Sequence, residues 1–148
     1  RLLVDVIGMP WDQVHEEACR WEHVMSENVE RRLLAVLEYP TTSPYGNPIP
    51  GLELLGVEVP SSDDGATRLA DLPPGETVPV IVRRMSEHGQ SDTELIGALR
   101  EAGVVPNARV TVSNMAGTIT IDTPGHDGLE LSSDMAHSLF VEKVVEKV

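Results

Sequence analysis

The chain has 148 residues, 41% of them hydrophobic, enough for one substantial core or two small ones, since domains run from about 50 to 250 residues. A net charge of −13 argues against these residues wrapping a phosphate backbone, and dividing the chain after Val57 leaves −5 and −8, so neither half hides a basic module. One cysteine cannot form an internal disulfide, no apolar run approaches the roughly 20 residues of a membrane span, and no leader pattern opens the chain, so a cytoplasmic protein is expected.

Arg1 is followed at once by "LLVDVIG", which reads as the last turns of an amphipathic helix stopped by Gly8, as if the chain were a fragment of a longer one. Pro10, at a first-turn position, starts a second helix over residues 11–25 because its fixed φ suits a helix N-terminus. Ser26 caps a third. There Val29, Leu33, Val36 and Leu37 recur at the spacing of one buried face, and Pro40 ends the helix. Residues 41–51, "TTSPYGNPIPG", lack periodicity and should be extended and polyproline-like rather than packed. Residues 58–68, "EVPSSDDGATR", read as a polar linker and the domain boundary.

Beyond the linker the period changes from 3.6 to 2. "TVPVIVRRM", "ARVTVSN" and "TITIDT" are strand-like, with a hairpin expected at residues 115–117, and "LFVEKVVEKV" finishes as a strand. "DTELIGALREAG" is one short helix with Asp92 as cap and Gly103 as stop. The expected class is α+β: a helical domain over residues 1–57, with its Pro-rich segment at 40–51, the linker at 58–68, and a small SH3-like β-barrel over 69–148.

The stretch "HEEACRWEH" concentrates chemistry. At about 100° per residue, Cys19 lies about 40° round the helix from His15, Glu22 about 20° the other way and His23 about 80°, so all four fall within an arc of about 100° beside the apolar stripe. A thiolate, imidazoles and a carboxylate suit a divalent transition ion better than Ca or Mg, which prefer oxygen alone. Two other readings stay open. In one, Cys19 and His23 are core-edge residues and the glutamates a wet face. In the other, His15, Glu16 and Cys19 are one substitution from the zinc-protease helix His-Glu-x-x-His, with Glu16 as general base.

"RLLVDVIGMPWDQVHEEACRWEHVMSENVERRL", followed by "SPYGNPIPGLELLGV", resembles the dimerisation domain of the iron-dependent repressors of the diphtheria toxin repressor family, and the likeness continues through "RRMSEHGQSD", "AGVVPNARVTV" and "MAHSLFVEKV". The resemblance implies domains two and three of a three-domain homodimeric repressor that binds Fe2+, with Co2+, Ni2+, Zn2+ or Mn2+ able to substitute. It implies a primary site holding Cys19, Glu22 and His23, and an ancillary site in which His15 is joined by Glu87 and Gln90, residues that otherwise look like unremarkable loop positions. In the family a winged helix-turn-helix precedes these residues, supplies the remaining ligands, reads operator DNA and so represses iron-uptake and siderophore genes; the acidic charge of this chain is then no obstacle.

The resemblance puts the dimer face on the first and third helices, where Leu2, Leu3 and Val6 join the Val29 stripe; the stripe serves equally as the monomer's own core. "SPYGNPIPG" reads either as a stiff tether or as a ligand of the chain's own SH3-like domain, whose only aromatic is Phe140, so that contact would rely on aliphatic pockets. A metal-responsive adaptor without DNA binding and a small zinc hydrolase remain the competing functions.

Overall fold

A computed structural model describes residues 1–59 and 65–144; residues 60–64 of the expected linker and the end of "LFVEKVVEKV" lie outside the described residues. The chain divides into two compact units, residues 1–62 and 63–148.

The first unit is helical. Leu2–Val6 forms a single π-type turn in which the Ile7 N–H reaches the Leu2 carbonyl at 3.0 Å, and Gly8 ends it at φ +81°, a conformation that costs glycine nothing. The expected helix over residues 11–25 is shorter and less regular. Trp11–Gln13 is a 3-10 turn and α1 runs over Val14–Trp21. Glu22 is its C-cap, and His23 lies in the turn that follows, closed by the Val24 N–H on the Trp21 carbonyl at 3.1 Å. Beyond that turn Ser26, extended, caps α2 (Glu27–Val36), where its hydroxyl accepts the Val29 N–H at 3.3 Å. α2 ends at Val36, four residues short of Pro40, through Glu38 and Tyr39 at positive φ.

The apolar stripe of α2 is not the core of its own unit. Leu34 is the buried residue of this helix, whereas Val29 and Val36 are 44% and 63% exposed and Leu33 and Leu37 line a groove of about 690 Å3 with Trp21, Met25 and Leu55. The Pro-rich segment departs further from expectation. It closes as a small hairpin, with Thr42 bridged to Pro48 and N–H donors of Ser43 and Ile49 on the carbonyls of Asn47 and Thr41, and it packs through Tyr45, which is 4% exposed. Pairing of its backbone groups with one another removes the solvation that a polyproline-like segment requires.

The second unit is a six-stranded antiparallel sheet ordered β1-β6-β2-β3-β4-β5. The strands are β1 (Thr67–Arg68), β2 (Thr77–Met85), β3 (Arg109–Met115), β4 (Thr118–Asp122), β5 (Leu129–Ser132) and β6 (Leu139–Lys143). Thr67 and Arg68, expected in the linker, pair instead with Val141 and Phe140. The single helix expected is α4 (Thr93–Glu101), joined by α3 (Glu87–Gln90) and α5 (Ser133–Ala136); Asp92 caps α4, its carboxylate accepting the Leu95 N–H at 3.1 Å, and Gly103 at φ +72° ends it. Alternation buries Val110 and Val112 of β3, Ile119 and Ile121 of β4, and Leu139 and Val141 of β6. β2 buries Val80 and Val82, and a register shift between Val82 and Arg84 then turns Met85 inward in place of Arg84.

The β3–β4 hairpin turns on Ala116 and Gly117, both at positive φ, the geometry of a two-residue primed turn. Ala116 at φ +52° carries a Cβ where glycine or asparagine is preferred. Ala116→Gly is expected to raise stability by about 1 kcal/mol, read as an upward shift in Tm; an unchanged or lower Tm would show that the turn is not strained.

Candidate metal centre

Four of the expected ligands lie in the first unit, and the early end of α1 divides them into two pairs. His15 and Cys19, one turn apart on the helix, bring Nε2 and Sγ to 3.7 Å. Glu22 and His23, at the C-cap and in the turn, bring Oε1 and Nε2 to 3.4 Å, with side chains 64% and 78% exposed. Among the described residues no three His, Cys, Asp or Glu side chains converge closely enough to form a metal site as they stand. The single arc read from an ideal helix therefore does not persist to residue 23, because His23 has left the helix.

The donor set nonetheless fits a divalent transition ion by its chemistry, and access is open: Cys19 is a free, exposed thiol and His15 is half-buried. Tetrahedral bond lengths of about 2.0–2.1 Å to nitrogen and 2.3 Å to sulfur put two such ligands of one ion about 3.6 Å apart, close to the His15–Cys19 separation. Glu17 and Arg20 pair with each other at 3.3 Å, and Glu17 also accepts the Trp21 indole N–H at 2.9 Å.

Glu87 and Gln90 belong to the second unit and sit on a helical turn, not the loop expected. Ser86 caps α3 by accepting the Gly89 N–H at 3.2 Å. Glu87 is exposed. Gln90 is 8% exposed, and its amide donates to the Met85 carbonyl at 3.1 Å, an orientation that turns the amide oxygen away from that carbonyl. A Cβ on Gly89 would meet the Ser138 side chain at 2.7 Å, so the turn is held close against its neighbour.

Sequence reasoning missed Tyr45. Its ring stands edge-on to His15 with centroids 6.4 Å apart, lies 5.0 Å from Trp11, and its hydroxyl donates to the Trp11 carbonyl at 2.8 Å. The signal available was its rarity, one of two tyrosines in a chain that is 3% aromatic. Burial, and next the nearby Asp12 carboxylate, push the Tyr45 hydroxyl up to about 12, while the His15 peptide N–H pulls the other way. An unfolded tyrosine ionises near pH 10. Between those values the folded chain holds a proton the unfolded chain has lost, so this contribution is whole below about pH 10 and falls as pH rises to about 12. Thermal melts from pH 9 to 12 should show a shallower decline for Tyr45→Phe than for the parent; equal declines would remove Tyr45 as the source.

The family pattern of the iron-dependent repressor metal-binding and dimerisation domain matches residues 1–51, and that of the diphtheria toxin repressor SH3 domain matches residues 64–143. The chain is 60% identical over 147 residues to the iron-dependent repressor IdeR of Mycobacterium tuberculosis, aligning 97% of this chain with 64% of the relative. It is 40% identical over 144 residues to the diphtheria toxin repressor of Corynebacterium diphtheriae, covering 97% and 63% of the two chains. Among solved structures, a manganese-dependent transcriptional repressor in complex with manganese superposes with a TM-score of 0.76 at 29% identity, over 97% of this chain and 64% of that one. The chain thus spans about 64% of the length of the mycobacterial relative.

Proposed function

The chain belongs to the family of iron-dependent repressors that includes the diphtheria toxin repressor, and from that membership we propose that it is the metal-sensing and dimerising portion of an Fe(II)-dependent transcriptional repressor of iron-uptake and siderophore genes. The observation that carries this reading is 60% identity over 147 residues, an alignment that covers 97% of this chain. It is a regulator rather than an enzyme. Operator DNA is contacted by residues outside this acidic chain, and a second copy covers the exposed apolar side chains Val6, Val29 and Val36. The protein acts in the cytoplasm; among the described residues no helix is long and apolar enough to cross a membrane.

Cys19, Glu22 and His23 hold the regulatory ion as thiolate, carboxylate and imidazole. His15 is a donor to a second ion, and in the second unit Glu87 and Gln90 are oxygen donors available to metal. What an ion supplies when bound is a fixed coordination geometry, and it acts as corepressor through tighter binding to the DNA-competent arrangement than to the other. Co(II), Ni(II), Zn(II) and Mn(II) are the expected substitutes.

The 3.7 Å contact favours a second reading, in which His15 and Cys19 share one ion. Cys19→Ala separates the two: under separate ions the His15 ring signals still respond to Co(II), and under a shared ion they do not.

The functional reading is tested by gel retardation of iron-uptake promoter DNA with anaerobic Fe(II). A longer polypeptide carrying an upstream DNA-binding domain should shift the DNA only with metal. The 148-residue chain should not shift it at all; metal-independent retardation by the longer protein would contradict the proposal.

A further inference from the structure

α1 begins without a side-chain cap, because the Gln13 side chain makes no capping hydrogen bond, and its first peptide N–H groups need partners from elsewhere. Tyr45 places its hydroxyl at this end of the helix, donating to the Trp11 carbonyl and facing the His15 peptide N–H, while its ring stands against the His15 imidazole at an interplanar angle of 69°. The imidazole is therefore flanked by an aromatic ring and, across Nε2, by the Cys19 sulfur.

Tyr45 is itself held. The Trp11 indole N–H donates to the Pro44 carbonyl at 2.7 Å, the Ser43 hydroxyl accepts the Tyr45 N–H at 3.2 Å, and the hairpin is closed by its own backbone pairs. With Tyr45 fixed by the hairpin and His15 by its position on α1, the ring limits the rotamers open to His15. A ligand ordered before the ion arrives does not lose that freedom on binding.

We infer that Tyr45 is a positioning residue for His15: the Pro-rich hairpin is a brace that pre-orders this imidazole for metal, rather than a tether. The inference rests on the reading of His15 as a ligand. Groups outside the ligand set that orient a ligand change metal affinity by about 10–100-fold when removed, and Tyr45 belongs at the lower end, since it contacts one ligand only.

The test compares the 148-residue chain with Tyr45→Phe, which keeps the ring, and Tyr45→Leu, which does not. Three-bond couplings report the His15 χ1 rotamer without metal, amide exchange reports α1, and His15 ring signals report the Co(II) midpoint. The parent and Tyr45→Phe should show one dominant rotamer. Tyr45→Leu should show rotamer averaging and a Co(II) midpoint raised about tenfold, with amide protection across residues 18–21 retained. A single His15 rotamer in Tyr45→Leu overturns the inference, and so does averaging accompanied by lost protection, since the helix itself would then have melted. Parent His15 signals that ignore Co(II) would remove His15 as a ligand instead, while the metal-free rotamer still decides what Tyr45 does.

Discussion

Cys19→Ala is expected to weaken anaerobic Co(II) or Fe(II) binding at the regulatory site by at least about 100-fold, because losing a ligand costs no less than the upper end of the loss from removing a group that merely orients one. The side chain is exposed, so thermal stability should stay within about 0.5 kcal/mol of the parent. Calorimetric titration checks the first quantity and a melt the second. Equal metal affinity in the two proteins would take Cys19 out of the site; a large fall in Tm would mean that weakened binding reflects unfolding.

Leu99→Ala is expected to have the largest effect on stability, about 2–5 kcal/mol. Leu99 and Ile96 of α4 are both 0% exposed, and the cavity left by truncation lies within a sheet-and-helix core that is close-packed around it. Urea unfolding of the second unit should show a lower midpoint with an unchanged slope. A change below about 1 kcal/mol would mean that the neighbours collapse into the space, and that α4 is less firmly packed than its burial indicates.

The second unit was legible where one local rule sufficed. Alternation identified β2, β3 and β4, Asp92 and Gly103 bracketed α4, and Ala116–Gly117 supplied the hairpin. β1 was hidden because Thr67 and Arg68 are two polar residues whose strand character comes entirely from pairing with β6. β5 offers only Leu129 and Leu131 between polar neighbours, and α3 and α5 are single turns, too short for a helical period to register.

In the first unit residue type marked the candidate donors, but it could not show how they group. An ideal helix carried on to Met25 puts His23 beside Cys19; α1 ends instead at Trp21 and leaves two separate pairs. The stripe of α2 was visible, though not whether its own unit would cover it, because periodicity reveals an apolar face without naming its partner. Prolines drew attention to residues 41–51 as a tether, while the anchoring is done by Tyr45 and Pro44, through hydrogen bonds with Trp11, more than 30 positions earlier.

X-ray absorption at the metal edge of the Co(II)-loaded chain bears most directly on the claim that the Cys19 thiolate anchors the regulatory ion. The account predicts one sulfur neighbour near 2.3 Å, the distance thiolates adopt around Zn(II), accompanied by nitrogen and oxygen and absent in Cys19→Ala. A shell of nitrogen and oxygen alone, identical in both proteins, would contradict it.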